Sequence, residues 1–171
     1  MASRRSAPCA RRCGLADLII RPATPDDVLA LLLLARDLHA QAPHYRDLPY
    51  DESWAAARAW AAVATGAAFV LTFEDTVVGM LLCAVEVCTA SRRHRCCDVV
   101  RYIAPGFRGR GAHEAMLTAL EAWGRANGCA EAIVTDSCED DRPVAARDRY
   151  YARRGWAPLG RIYTKALKTT D

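Results

Sequence analysis

The chain has 171 residues, of which 52% are hydrophobic and 25% are charged, and its formal net charge at pH 7 is +3. These values are ordinary for a globular protein that can bury a core. Most of the net charge comes from four arginines in the first twelve residues, so the near-neutral remainder argues against a large nucleic-acid or membrane-binding surface.

The first segment, residues 1–16, contains arginine, serine and small residues without apolar periodicity. We expect a disordered basic tail there and a single folded domain over 17–171. The apolar content of the tail is too low for the hydrophobic part of a secretory signal, so we expect a cytoplasmic protein.

The eight cysteines do not predict a disulfide framework, because a domain of this length needs no covalent staples. A metal site formed by Cys9, Cys13, His94 and Cys96 is conceivable, but their spacing matches no zinc-binding pattern. We therefore expect reduced thiols and no metal ion.

The folded part begins with a short strand, Leu18–Pro22, which the proline stops. Thr24 can cap a helix whose first turn holds a proline and two acids, and this helix should run to about Ala40. Its predicted buried residues are Val28, Leu31, Leu32, Ala35 and Leu38. A loop over 41–50 then leads to a second, alanine-rich helix over 51–64.

Three strands should follow the second helix, because apolar, β-branched and aromatic residues dominate three short runs. Their predicted ranges are 68–73, 77–87 and 97–103. Glu74 and Asp75 join the first two strands into a hairpin, and a polar, basic connection over 89–95 precedes the third.

The third strand runs into a glycine-rich turn that opens a helix at Ala112. Gly109 and Gly111 let the backbone approach a ligand, Arg108 and Arg110 add positive charge, and first-turn N–H groups lack intrahelical partners. The turn is therefore suited to phosphate, although a solvated turn with two exposed arginines explains this fragment equally well. The Rossmann and Walker patterns are excluded, because a third glycine and a Gly-Lys-Ser/Thr sequence are missing.

After this helix, the pattern predicts a strand over 131–135, an acidic loop over 137–142 and a helix over 144–153. One further strand should start at Gly155, and the last should cover 161–167. The complete order is β-α-α-β-β-β-α-β-α-β-β. It predicts a mixed α/β fold around one central sheet, without repeats or a membrane span.

Two segments in this order resemble signatures of one family. The first, Ile103-Ala104-Pro105-Gly106-Phe107-Arg108-Gly109-Arg110-Gly111-Ala112, is similar to motif A of the GNAT N-acetyltransferase superfamily, a turn that holds the pyrophosphate of acetyl-coenzyme A. The second, Tyr151-Ala152-Arg153-Arg154-Gly155-Trp156, resembles the Tyr-x-x-x-Gly-Phe/Trp signature of that family. The resemblance covers roughly residues 18–168 and implies a GNAT-like acyl-CoA N-acyltransferase fold.

The chain departs from the family pattern at three positions. Gly106 stands first in the Gln/Arg-x-x-Gly-x-Gly form and His113 stands where a later glycine is common, yet both leave a cradle of backbone N–H groups intact. Val144 replaces an asparagine that often contacts the cofactor or acceptor. A catalytically weak CoA-binding regulatory or sensor protein is therefore the alternative to an enzyme, and a nucleic-acid-binding module is a third hypothesis.

Acetyl transfer to an amine needs a positioned acyl group, a neutral amine and a stabilised leaving thiolate. The resemblance implies that Tyr151 is the general acid beside the cofactor sulfur, and the alternative is that this side chain only packs against the cofactor or the core. It implies Asp98 as the base, with Glu86, Asp136 and His44 as rivals.

The resemblance also implies the binding residues. The residues expected to bind coenzyme A are Tyr102, Ile103, Arg108, Gly109, Arg110, Gly111, Ala112 and His113. The region between the first two helices shapes the acceptor site in the family, so Tyr45, Tyr50 and Trp54 are candidates for substrate contact, with core packing as the alternative. We expect a primary amine of a small molecule or peptide to attack directly in a ternary complex, without membrane or nucleic-acid partners. A homodimer is left open.

Overall fold

The computed structural model describes residues 18–42, 45, 48–88, 91–135 and 144–160. The chain divides into two compact units, Met1–Ser137 and Cys138–Asp171. The expected basic tail over 1–16 lies outside the described residues, and the single domain over 17–171 stays a prediction.

Within the described residues, the first unit contains five strands and three α-helices. The strands are β1 (Leu18–Pro22), β2 (Ala68–Phe73), β3 (Thr76–Val87), β4 (His94–Ile103) and β5 (Glu131–Ile133). The helices are α1 (Val28–Gln41), α2 (Glu52–Ala64) and α3 (Ala112–Ala126), and a 3-10 turn at Pro25–Asp27 precedes α1. In the second unit, α4 spans Val144–Ala152. The mixed α/β class is confirmed, as is the element order from β1 to α4.

The five strands form one sheet in the order β1-β2-β3-β4-β5. The first three pairings are antiparallel, and β4 and β5 are parallel. The parallel pairing is short, running from Arg95 opposite Glu131 to Cys97 opposite Ile133. Beyond Cys97, β4 continues to Ile103 without a strand partner on its β5 side in the part of the chain that the structure describes.

The helices cover opposite faces of the sheet. On one face, a core cluster joins α1 and α2 to the strands through Val28, Leu31, Leu34, Ala59, Val70, Met80 and Tyr102. On the other face, α3 buries Ala112, Met116, Leu117 and Leu120. Adjacent residues of β3 show the alternation, since Met80 joins the first cluster whereas a Cβ atom on Gly79 would lie 2.8 Å from Met116 Cε. Gly79 therefore lets α3 approach the sheet.

A bulge in β4 changes the face that its side chains occupy. The adjacent β3 residues Leu82 and Cys83 pair with Val100 and Asp98, so Val99 is an extra residue. On the carboxyl side of the bulge, even-numbered residues of β4 face α1. On the amino side they face α3. Simple strand periodicity would have placed all of them on one face.

The buried side of α1 is wider than the sequence pattern predicted. Val28, Leu31 and Leu34 are buried, whereas Leu32, Ala35 and Leu38 are partly buried. Leu34 was not predicted. The stripe is wide because α1 packs against both the sheet and α2.

The ends of the neighbouring strands β4 and β5 differ from the predicted limits. β4 starts at His94, inside the expected polar connection, because His94 pairs with Val87 of β3. β5 ends at Ile133 because the N–H of Thr135 bonds to the Asp98 side chain and not to a neighbouring strand.

The strand expected to start at Gly155 is not formed. Gly155 has a φ of 79° in the turn after α4, and residues 156–160 have no regular secondary structure. Pro158 cannot donate a hydrogen bond to a sheet, which disfavours a strand at this point. The last predicted strand, over 161–167, lies outside the described residues.

Candidate functional site

The glycine turn, residues 106–111, connects the end of β4 to α3. A short 3-10 turn at Pro105–Phe107 leads into Gly109 and Gly111, whose φ angles of 76° and 79° lie in the left-handed region that favours glycine. Gly111 is the N-cap of α3 and has no capping side chain. The helix ladder starts when Ala115 N–H donates to Gly111 O at 3.0 Å, so the helix does not use the preceding N–H groups.

The two arginines of the turn have different surroundings. The guanidinium of Arg110 lies 5.6 Å from the centre of the Phe107 ring, which in turn packs on Phe73 at 5.4 Å. Arg108 is directed towards the strand, because its Nε donates to Ile103 O at 2.9 Å and its guanidinium lies 5.7 Å from the centre of the Tyr102 ring. The site therefore holds one arginine against the end of β4 and one against the aromatic residues of the turn.

Tyr102 is only 4% exposed, and its side chain faces α1. Its hydroxyl accepts a hydrogen bond from Gln41 Nε2 at 2.8 Å. Burial raises the pKa of Tyr102, and the Gln41 hydrogen bond and the Arg108 charge oppose this shift in part. The phenol is thus neutral at physiological pH. Sequence reasoning missed Gln41, since no local pattern marks a glutamine at the end of a helix.

Asp98 and Arg101 bridge β4 to the segment after β5. Asp98 is buried and accepts from Thr135 N–H at 2.9 Å, while Arg101 lies 3.4 Å from its carboxylate. Arg101 Nη2 also donates to Thr135 O at 3.2 Å. These side-chain contacts form where the backbone pairing of β4 and β5 has ended, so the pair links the two diverging strands.

The rivals of Asp98 are placed differently. Glu86 on β3 has a half-exposed side chain that accepts from Arg95 Nε at 3.3 Å. Cys97 Sγ lies 3.6 Å from the same carboxylate. Asp136 and His44 lie outside the described residues.

The predicted acceptor residues fall into two groups. Tyr45 and Tyr50 come together around His39, with ring centres 6.2 Å and 5.2 Å from the imidazole. His39 was not predicted, although it lies in the last turn of α1. Trp54, by contrast, is 63% exposed and packs near the Arg58 guanidinium. Burial raises the pKa of Tyr50.

In the second unit, the Tyr-x-x-x-Gly-Trp residues form one local structure. The left-handed Gly155 reverses the chain after α4, and Trp156 N–H donates to Tyr151 O at 3.2 Å. The Tyr151 ring contacts Tyr150 at 5.5 Å and Trp156 at 6.4 Å. Val144, the first residue of α4, is 60% exposed.

Among the described cysteines, Cys83, Cys96, Cys97 and Cys129 are free thiols. Burial raises the pKa of Cys83 to about 12 and that of Cys96 and Cys97 to about 11. These three are therefore protonated and poor nucleophiles at neutral pH. In the described part of the chain, no three His, Cys, Asp or Glu side chains are grouped to bind a metal ion. Cys9 and Cys13 lie outside it.

None of the described helices combines the length and apolar character required to cross a membrane.

Comparisons with known proteins identify similar folds and one family model. The model described as the acetyltransferase (GNAT) family matches residues 32–156. The aminoglycoside N-acetyltransferase AAC(6')-Iy, solved with a bisubstrate analog, CoA-S-monomethyl-acetylneamine, has a TM-score of 0.66 at 15% identity over 89% of this chain and 99% of that chain.

Two further solved structures are similar. An aminoglycoside acetyltransferase, HMB0005, from an uncultured soil metagenomic sample has a TM-score of 0.63 at 17% identity over 88% of this chain and 99% of its own. An acetyltransferase from Trypanosoma brucei has a TM-score of 0.62 at 22% identity over 88% of this chain and 100% of its own. At these identities the likeness supports the fold. A search of curated protein sequences found no significant match.

Proposed function

Because the matched residues, 32–156, show that this chain belongs to the GNAT acetyltransferase family, we propose that it acetylates a primary amine of a small molecule or peptide by direct attack in a ternary complex. Family membership makes the protein an N-acetyltransferase with acetyl-CoA as its cosubstrate. The observation that carries the proposal is the glycine turn, where left-handed Gly109 and Gly111 open α3 at the end of β4.

The residues of the turn fit a pyrophosphate. The N-terminus of α3 offers backbone N–H groups and the positive end of the helix dipole. A Cβ atom on Gly109 would meet nothing within 4 Å, so the backbone there is open to a ligand. We assign residues 108–113 to the diphosphate, with the Arg110 charge beside it. The cosubstrate supplies an activated thioester, and the chain's own residues must orient it.

The open edge of β4 can supply a backbone donor for the acyl carbonyl. Ala104 N–H donates to Val78 O of β3 at 2.9 Å. Because successive N–H groups of a strand point to opposite edges, the N–H of Ile103 points away from β3. This favours Ile103 over Tyr102 as the donor near the acyl group. A fixed donor of this kind stabilises the negative charge that develops on the oxygen.

We assign the general-acid role to Tyr151. A tyrosine phenol has a reference pKa of about 10 and is protonated at neutral pH, so it can donate to a leaving thiolate. The contacts with Tyr150 and Trp156 support a fixed orientation of the ring.

The base stays open among Asp98, Glu86, Asp136 and His44, of which the structure describes Asp98 and Glu86. The carboxylate of Asp98 is buried against Arg101 and Thr135, on the α3 side of the β4 bulge. Those contacts favour a structural role for Asp98. Because its carboxylate is buried, it could remove a proton from the amine only through an intervening water. Glu86 is accessible to solvent but pairs with Arg95.

The acceptor side is assigned to the region between α1 and α2. The aromatic group of His39, Tyr45 and Tyr50 supports this assignment, since it joins the end of α1 to the following loop. Exposed Trp54 remains a candidate further along α2. Two of the similar folds are aminoglycoside acetyltransferases, so aminoglycosides belong in the first set of amines to be tried.

A thiol-release assay with acetyl-CoA tests the function. The full chain is incubated with aminoglycosides, polyamines, amino acids and peptides, and we expect release that depends on one of these amine classes. Tight binding of coenzyme A without acceptor-dependent release in any class would favour the sensor alternative. The exposed Val144 motivates that alternative, because valine cannot make the polar contact of an asparagine.

The proposed setting is the cytoplasm, supported by the free thiols among the described residues. Nucleic acid is not proposed as a partner, because the charge outside the first twelve residues is close to neutral. A homodimer is compatible with the proposal, and the measured mass in solution decides it.

A further inference from the structure

A single amide side chain ties the end of α1 to the glycine turn. Gln41 is the last residue of α1 and donates from Nε2 to the Tyr102 hydroxyl at 2.8 Å. Its Oε1 accepts from Arg108 Nη2 at 3.1 Å. Tyr102 and Arg108 follow Gln41 by 61 and 67 positions in the sequence, so only folding brings these groups together.

Arg108 is held by three contacts. In addition to the Gln41 bond, its Nε donates to Ile103 O at 2.9 Å and its guanidinium lies over the Tyr102 ring. The two hydrogen bonds use two of the five N–H donors that a guanidinium offers, and they fix its plane. The other donors can meet an anion without first ordering a long side chain, which otherwise opposes binding.

The chemistry of the bridge suits an amide. A glutamine side chain donates and accepts at the same time. The Tyr102 side chain is buried and its hydroxyl accepts from the amide nitrogen, whereas Arg108 is a permanent cation that donates to the amide oxygen. Lysine would offer only donors to this pair, and methionine offers no strong hydrogen bond to either side.

We propose that Gln41 is a positioning residue for coenzyme A, which orients the Arg108 guanidinium at the glycine turn and thereby raises affinity for the cofactor's diphosphate. The inference deepens the proposed function and rests on it. It also connects the helix that precedes the acceptor loop to the cofactor side of the site, because Gln41 belongs to α1 and Arg108 to the turn.

Calorimetric titration of the full chain with coenzyme A tests this role. Gln41→Met has a similar length but no amide, and it should weaken binding about three- to tenfold, the cost of ordering one long side chain. Arg108→Met should weaken binding at least as much. The double variant should bind no more weakly than Arg108→Met alone, because Gln41 acts through Arg108. Arg36→Met, on the same helix and paired with Glu52, is the control and should bind as the wild type does.

Thermal melts show that each variant is folded at the titration temperature, which separates positioning from stability. The inference is overturned if Gln41→Met binds as tightly as the wild type, or if the losses of the two single variants add in the double variant. Failure of the wild type to bind coenzyme A would instead remove the proposed function. The two failures are therefore distinguishable.

Discussion

Gly124 of α3 and Cys96 of β4 are packed so closely that a Cβ atom on Gly124 would lie 2.3 Å from the Cys96 sulfur. Both residues are buried, and Cys96 is only 1% exposed. The contact lets the helix that follows the glycine turn lie directly against the strand that precedes it. The absence of a side chain at position 124 is therefore a packing requirement.

Gly124→Ala should destabilise the fold by about 1–3 kcal/mol, because the new methyl group overlaps the Cys96 sulfur. Urea denaturation measures the loss in the free energy of unfolding. Gly106→Ala is the control, since its Cβ atom would meet nothing within 4 Å. Adding Cys96→Ala to Gly124→Ala should recover part of the loss, because the sulfur is removed. An unchanged stability of Gly124→Ala would contradict the packing argument.

Gly111→Val should weaken coenzyme A binding by more than about tenfold, since a β-branched residue cannot hold a φ of 79° without strain of about 1–2 kcal/mol and it also fills the turn. Gly109→Val should act in the same way. Calorimetry measures the affinity. Gly66→Val is a matched control, because Gly66 also has a positive φ and open space but lies in the turn after α2. Equal affinity in all three variants would remove the glycine turn from the site.

Asp27→Asn should lower stability at pH 7 by about 1–2 kcal/mol, a range kept small because Arg21 is 40% exposed. The Arg21 hydrogen bonds, at 2.7 and 2.8 Å, hold the pKa of Asp27 well below its usual range, with help from Thr24.

The pH dependence of this effect has a definite sign. A carboxyl whose folded pKa is depressed stabilises the fold above its unfolded pKa of about 3.9 and loses that contribution as pH falls. The difference in stability between the wild type and Asp27→Asn should therefore become smaller below about pH 5. Thermal melts from pH 7 to 3 measure it, with exposed Asp26→Asn as the control. A difference that does not change with pH would exclude the ion pair as its cause.

Tyr151→Phe should lower kcat by about tenfold to hundredfold while the affinity for coenzyme A changes little, because only the proton donor is lost. Tyr150→Phe is the matched control. Its ring stacks under the Arg154 guanidinium at 3.8 Å, a contact that phenylalanine keeps. Steady-state kinetics and calorimetry separate the two effects. If turnover is the same in both variants, Tyr151 has a packing role.

Asp98→Asn should lower the free energy of unfolding by about 3 kcal/mol, because it removes the buried negative charge that faces Arg101 at 3.4 Å. The loss of activity per folded molecule, converted to an activation free energy, should be smaller than the loss in the free energy of unfolding. Glu86→Gln, on the neighbouring strand and half-exposed, serves for comparison. A stable Asp98→Asn variant whose pH–rate profile loses its acidic limb would assign the base role to Asp98 and refute the structural one.

Much of the fold could be predicted because its signals are local. Strand and helix periodicity, the proline and acids before α1, and the glycines of the turn each act over a few residues. The element order from β1 to α4 followed from them. The Tyr-x-x-x-Gly-Trp segment also proved to be one local structure, since Gly155 places Trp156 against Tyr151.

By itself, the sequence predicted the element order from β1 to α4, the glycine turn that opens α3 and the resemblance to the family whose model matches residues 32–156. Tertiary structure alone decided that the β4 bulge turns Asp98 towards α3, that Gly124 must lack a side chain, and that Gln41 bridges Tyr102 and Arg108. The physical reason is the separation in the sequence between the residues that interact. Backbone preferences depend on neighbouring residues, whereas which side chains meet across the sheet depends on packing between segments that are far apart in the chain.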